Sequence, residues 1–310
     1  MLAEYALIPD IFSCTSYSSE EVCRIRIQNI KDVLLNEALV RDLRDGEWSK
    51  HISNHISRWP PCVKELLKKL HRDNRLRKSP PGIGSPPCNN HEWCEEALAS
   101  HDISSLNGII TSSSEANNYK EVTEIASIEK LSSASWWQKR SESVRLARTV
   151  NDYLKHLNLI LKHATSIMFI DPHIDPSRPN YKNFYRLLVS AKRDKCSPLI
   201  EIHRVCYRGS GPSRRVIPNN EWVSIFQNNL SKLLASINLR ANIFIWDDFH
   251  DRYLITKIFG ISMPYGFAES RNQTQKTSWS RLSRIDREDV EREFDEPAKR
   301  HTLRIRFTIP

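Results

Sequence analysis

The sequence predicts an α/β protein, with a sheet flanked by helices in its C-terminal half and a mainly helical N-terminal region before it. Three observations carry this. From residue 136 onward, short β-branched and aromatic runs alternate with longer segments whose apolar residues recur every three or four positions, the pattern of strand–helix alternation. Residues 1–79 carry apolar stripes at helical spacing instead, and a Pro- and Ser-rich stretch separates the two. The expected organisation is a helical region over 1–79, a connector with a small α/β piece over 80–135, and an α/β domain over 136–310.

The elements follow in order. Glu20–Asn36 places Val22, Ile25, Ile27, Ile30, Val33 and Leu34 at mostly helical spacing behind the capping serines Ser18 and Ser19, with Glu20 and Glu21 in the first turn. A second element covers 37–45, and a third covers 61–74 with Val63, Leu66, Leu67 and Leu70 on one stripe. The rest of that third helix and its tail carry Lys64, Lys68, Lys69, His71, Arg72, Arg75, Arg77 and Lys78. Two readings of this cluster stand, a solvated helix face or a track for a phosphate backbone. Residues 79–87 hold four prolines and two glycines and must form a loop or hinge. A short helix is expected over 91–100, a strand over 106–111, and a variable connector over 112–135 with a helix at 119–131. Trp136 and Trp137 are expected to pack at the entry of a long helix over 141–162. Then come a strand at Ser166–Ile170, a helix over 181–191, a strand over 199–206, a helix over 219–236 and a strand at Ala241–Trp246. A strand over 252–256, a helix over 279–294 and an alternating strand over 302–309 complete the chain.

Composition narrows the function classes. Hydrophobic residues make up 39% and charged residues 27% of the 310, values of a globular protein rather than a disordered one. Only 8 glycines are present, and neither GxGxxG nor GxxxxGK[ST] occurs, so dinucleotides and nucleoside triphosphates are poor candidates for cofactors. No cofactor is expected. The 46 Lys and Arg against 37 Asp and Glu give a net charge of +9, which favours a polyanionic partner, most simply nucleic acid. The seven cysteines, Cys14, Cys23, Cys62, Cys88, Cys94, Cys196 and Cys206, are odd in number and scattered. With no signal-like N-terminus and no apolar run long enough to span a bilayer, a reducing, cytoplasmic setting without membrane contact is expected.

The chemistry concentrates in residues 242–256. A strand-like run is followed by Asp247, Asp248, Phe249, His250, Asp251 and Arg252, and then by a second strand-like run. Residues two apart on a strand share a face, so His250 and Arg252 are expected to converge at the mouth of a strand pair. Imidazole suits proton transfer or attack near neutral pH, and guanidinium grips phosphate bidentately. A second constellation is Asp171, His173 and Asp175, which leave the Ser166–Ile170 strand at its carboxyl end, the edge where α/β sheets bind ligands. Either Asp171 and His173 line the same cleft as His250, or the acids shape a proline turn. Arg208, Arg214 and Arg215 lie on a basic loop after the 199–206 strand, where they can meet a nucleic-acid backbone while Tyr207 stacks on a base. Cys88, His91 and Cys94 are tightly spaced but lack a fourth ligand and are assigned to packing. No spacing demands a metal, and none is expected.

At His250, Arg252 and Lys257, and in the Gly-containing segment 260–267, the sequence resembles the phospholipase D superfamily over 166–310. That motif is His-x-Lys, four residues, then Asp. Here Arg252 stands for the lysine and Lys257 for the aspartate. The resemblance implies a phospholipase D-like sheet and a metal-independent phosphodiesterase or nuclease. In it His250 attacks phosphorus, Arg252 clamps the phosphate and His173 assists, while Asp171, Arg208, Arg214, Arg215 and Lys257 bind substrate. One motif copy is visible, so activity implies a homodimer with His250 from each chain. The other reading is a catalytically inactive scaffold, an interaction subunit of a prokaryotic antiviral-defence or mobile-element complex, to which Lys257 in place of an acid points.

Overall fold

The computed structural model describes residues 1–80, 82–193, 197–209, 211–272 and 274–310. Pro81 of the proline-rich loop, Ser210 of the basic loop and Cys196 lie outside them. The chain divides into two compact units, Leu2–Ser141 and Glu142–Pro310.

The first unit contains an all-parallel five-stranded sheet. Its strands are β1 (Ala3–Leu7), β2 (Ala38–Asp42), β3 (Leu76–Lys78), β4 (Gly108–Thr111) and β5 (Ile125–Ser127), in the order β3-β2-β1-β4-β5. Helices Glu20–Asn36, Leu43–Asn54, Pro61–Arg72 and Asn90–Ile103 make the crossovers. Ser19 caps the first by accepting from the Val22 amide.

Residues 1–79 are helical over most of their length, but they do not form a separate helical region, because they also supply three strands of this sheet. The physical reason is that β1 and β2 are buried along their whole length and so show no two-residue alternation. They also carry charge inside: Glu4 on β1 takes both Arg41 Nε and Arg41 Nη2 at 2.9 Å and Arg77 Nη1 at 2.6 Å. The unit boundary falls at 141/142 rather than at 79 and 135, since 80–135 completes the same sheet. Over 119–131 the chain forms β5 and a 3₁₀ turn at Ile128–Ser133 in place of a helix. Trp136 and Trp137 pack on Tyr5, with ring centroids 5.6 Å apart in each case, and not on a long helix. The basic cluster is partly neutralised, with Lys69 on Glu65, Arg72 on Asp73 and Arg77 on Glu4. That favours the solvated-face reading.

The second unit holds an eight-stranded mixed sheet. Its strands are β6 (Ser143–Ala147), β7 (Ser166–Ile170), β8 (Leu199–Val205), β11 (Ala241–Trp246), β12 (Tyr253–Thr256), β13 (Gly260–Ser262), β14 (Lys276–Arg281) and β15 (Leu303–Ile309). A small ribbon pairs β9 (Tyr207–Arg208) with β10 (Arg215–Val216). The sheet order is β15-β11-β8-β7-β12-β13-β14-β6. β7, β8 and β11 run parallel, and every other pairing in this sheet is antiparallel.

Three expectations change here. The 141–162 helix is an edge strand, β6, followed by a helix at Val150–His163 whose cap, Thr149, accepts from the Asp152 amide. Val144 and Leu146 belong to the strand, opposite Trp279 and Thr277 of β14. The 279–294 helix likewise splits into β14 and a helix at Arg284–Glu293 capped by Ser283. Finally, β11 and β12 are not a strand pair, because β8 and β7 lie between them. The segment with His250 crosses the carboxyl ends of those parallel strands to reach β12. The α/β class holds for both units, and no helix among the described residues is long and apolar enough to cross a membrane.

Candidate active site at the carboxyl end of β7

Asp171 follows β7 and is fully buried. A buried carboxylate must be satisfied on both oxygens, and this one is. Oδ1 accepts from the His173 amide at 2.9 Å, and Oδ2 from the Tyr181 hydroxyl at 2.9 Å and the Phe267 amide at 3.0 Å. The Arg252 Nε stands 3.7 Å from Oδ1. One carboxylate thus ties together the β7 exit, the turn at Tyr181, the start of β12 and the strap 263–267. Burial, reinforced by the Asp171 charge, keeps the Tyr181 phenol well above its usual range and so protonated. Gly266 has φ +56°, and a Cβ there would overlap Asp171 Oδ2. Only glycine lets the strap close on the carboxylate.

His173 is half-buried. Burial holds its pKa below the ordinary 6.5; the Asp171 charge works against that, while the Arg252, Arg204 and His250 charges work with it. His173 therefore sits in the field of Asp171, Arg252 and His250 together. Arg252 is 26% exposed at its side chain, braced on Asp171, and its Nη1 reaches the His250 carbonyl at 3.2 Å. His250 is exposed. The two residues lie in the irregular segment before β12 rather than on one face of a strand. The arrangement puts the His173 imidazole within electrostatic reach of His250 and of a guanidinium held by a buried acid.

No protein-family model and no curated protein matches the chain. Among solved structures, it is similar to one titled as TrmBL2, an archaeal chromatin protein with a novel mode of DNA binding. The TM-score is 0.30 and the identity 12%, over 78% of this chain and 83% of that one.

The remaining candidates are placed less uniformly. Asp171 is enclosed and acts as a brace rather than as a surface that meets substrate. Arg208 pairs with Asp175 at 2.7 Å and approaches Glu221 at 3.6 Å. Burial pushes the Asp175 carboxyl up, but the Ser177 hydroxyl and Arg208 outweigh it and hold the group below its ordinary value. Arg214 pairs with Asp248 at 3.3 Å and lies over the Tyr207 ring at 3.4 Å. Tyr207 is itself buried and gives its hydroxyl to Asp248 at 2.6 Å, so it is not an open surface for a base. Arg215 is exposed on β10. Lys257 pairs with Glu291 on the Arg284–Glu293 helix, turned to that helix rather than to Asp171. Asp247 pairs with Arg304. Among the described residues no His, Cys, Asp and Glu group is arranged to hold a metal ion. In the Cys88, His91 and Cys94 string, Cys88 bonds Glu92, His91 meets Glu115 and Tyr119, and Cys94 is buried.

Sequence reasoning missed Tyr181, Arg204 and Gly266. Arg204 is buried, donates to the carbonyls of Val205, Ile174 and Tyr207, and stacks on Trp222 at 3.3 Å, with burial drawing its pKa down to about 9. It fixes the loop that carries His173. Gly266 left a signal, since glycine is scarce and this one lies in the segment after the motif.

Proposed function

We propose that the second unit is a phospholipase D-like domain and that its site is a metal-independent phosphodiesterase acting on nucleic acid. One observation carries the proposal: the buried Asp171 braces Arg252 and fixes the His173 backbone, beside the exposed His250. Such a brace leaves a guanidinium partly preorganised for a phosphate, which lowers the cost of ordering it when substrate binds. In the first step a His250 ring nitrogen attacks phosphorus and the bond to the leaving oxygen breaks, with that oxygen taking a proton from the protonated form of His173, a minority at neutral pH because burial lowers its pKa, so that this step is favoured on the acid side. Water then attacks the phosphohistidine, His173 accepts the water's proton, and His250 is released. The net charge of +9 supplies long-range attraction for a polyanion.

The test is incubation in chelator with single- and double-stranded DNA and RNA, comparing the natural sequence with His250→Ala, Arg252→Ala and His173→Ala. Cleavage in chelator that disappears in His250→Ala supports the enzyme. Binding without cleavage in any arm overturns it and leaves the scaffold reading. Cleavage that survives His173→Ala moves the acid role to His250 of a second chain. Binding should weaken log-linearly with salt, with a slope of about −0.7 per phosphate contacted on a single strand.

A further inference from the structure

We infer that Tyr265 is a base-stacking platform beside Arg252, which makes the substrate a single-stranded nucleic acid. The inference rests on the phosphate-handling reading of the same site. Tyr265 is 49% exposed, and it lies in the strap that closes on Asp171. That strap is anchored without it. Phe267 packs against Phe169 and Phe184 at 5.2 and 5.7 Å, its amide bonds Asp171, the Gly266 amide bonds the Met263 carbonyl at 2.7 Å, and the Met263 amide bonds the Arg252 carbonyl at 2.9 Å. The fold therefore has no need of a large ring at position 265. What the ring has is position. Its neighbour Gly266 would touch Arg252 Cδ at 3.1 Å with any Cβ, so the aromatic ring is one residue from the arm that grips phosphate.

A second cation completes the arrangement. The Arg148 guanidinium lies 4.4 Å from the Tyr265 ring centroid and is steadied by the Ala268 carbonyl at 3.3 Å. An aromatic ring under the Arg148 guanidinium, half open to solvent and one residue along the strap from the glycine that abuts Arg252, offers a π-face for a base and positive charge for the flanking phosphates. Duplex bases are stacked on each other inside the helix and cannot lie on such a ring. Unpaired bases can. DNA and RNA share this chemistry.

The test uses the full chain in chelator and fluorescence anisotropy with a labelled oligothymidylate, its RNA counterpart, a strand of the same length whose sugars carry no bases, and a duplex. The strand with bases should bind more tightly than the baseless strand and the duplex. Tyr265→Ala should weaken only the strands with bases, by roughly 5- to 150-fold, and Tyr265→Trp should restore them. Far-UV circular dichroism and thermal melting check that both variants are folded. Equal binding of the oligothymidylate by Tyr265→Ala and the natural sequence overturns the inference, as does equal binding of base-bearing and baseless strands. Base-dependent, Tyr265-dependent binding with no cleavage in any arm leaves the platform standing and removes the phosphodiesterase reading. Cleavage that is indifferent to Tyr265→Ala does the reverse.

Discussion

Asp171 is the residue on which the site turns, and its charge can be read from its neighbour. The carboxylate raises the His173 pKa while burial and Arg252 lower it. Asp171→Asn should therefore drop His173 further below 6.5, and Arg252→Gln should move it back up. Imidazole NMR titration of the two variants checks both signs, and shifts in the same direction would mean that His173 does not sit between these charges. Gly266→Ala tests the brace itself. It combines a positive φ with overlap on Asp171 Oδ2, so it should destabilise the second unit by more than ~1 kcal/mol in urea denaturation and loosen Arg252. At this scale the sequence was legible in kind but not in role. His250, Arg252, His173 and Asp171 are residue types that announce their chemistry, and the structure groups them. Whether an aspartate faces solvent or is sealed by a phenol and two amides depends on Tyr181 and Phe267, which come from chain segments outside the motif.

At the scale of elements, legibility followed amphipathicity. The helices Glu20–Asn36, Pro61–Arg72 and Val150–His163 bury one stripe each, so their periodicity survives in the sequence. β1 to β3 were illegible because two of them are buried throughout and one is three residues long, and because Glu4 and Arg41 put charge where a central strand is expected to be apolar. β6 and β14 were absorbed into adjacent helices, since Val144 and Leu146 continue the helical stripe of the segment that follows. Two substitutions measure what these hidden elements contribute. Glu4→Ala leaves Arg41 buried without its carboxylate and should cost about 3–5 kcal/mol. A loss below ~1 kcal/mol would mean that the guanidinium is satisfied by the Ser100 and Ser104 carbonyls alone. Trp279→Ala removes a fully buried ring packed 4.9 Å from Tyr153 and should cost about 3–5 kcal/mol, with the loss confined to the second unit's unfolding transition.

For the whole molecule, each unit has its own sheet, and both hold half-buried or buried histidines that resist protonation. Burial lowers the pKa of His51 in the first unit and of His156, His173 and His203 in the second. His203 shows the cause most plainly. It is fully buried, lies 4.6 Å from Phe244 and nearly parallel to it, and its Nδ1 faces the Trp246 indole N–H at 3.1 Å. A proton on Nδ1 would set donor against donor. The direction of the pH effect follows from proton counts. Between the lowered folded-state pKa and 6.5, the unfolded chain carries more protons on these histidines than the folded chain. The contribution of these histidines to stability must then rise with pH through that window and fall on acidification below 6.5, by at most about 1.4 kcal/mol per pH unit for each histidine. Asp10, whose carboxyl burial pushes up, contributes with the opposite sign. His203→Phe keeps an aromatic ring in the stack and deletes one titration. Its unfolding free energy, measured in urea from pH 7.5 down to 5, should show a shallower pH slope than the natural sequence, whatever its value at pH 7.5. An unchanged slope would mean that His203 is protonated alike in both states, against the geometry of its Trp246 partner.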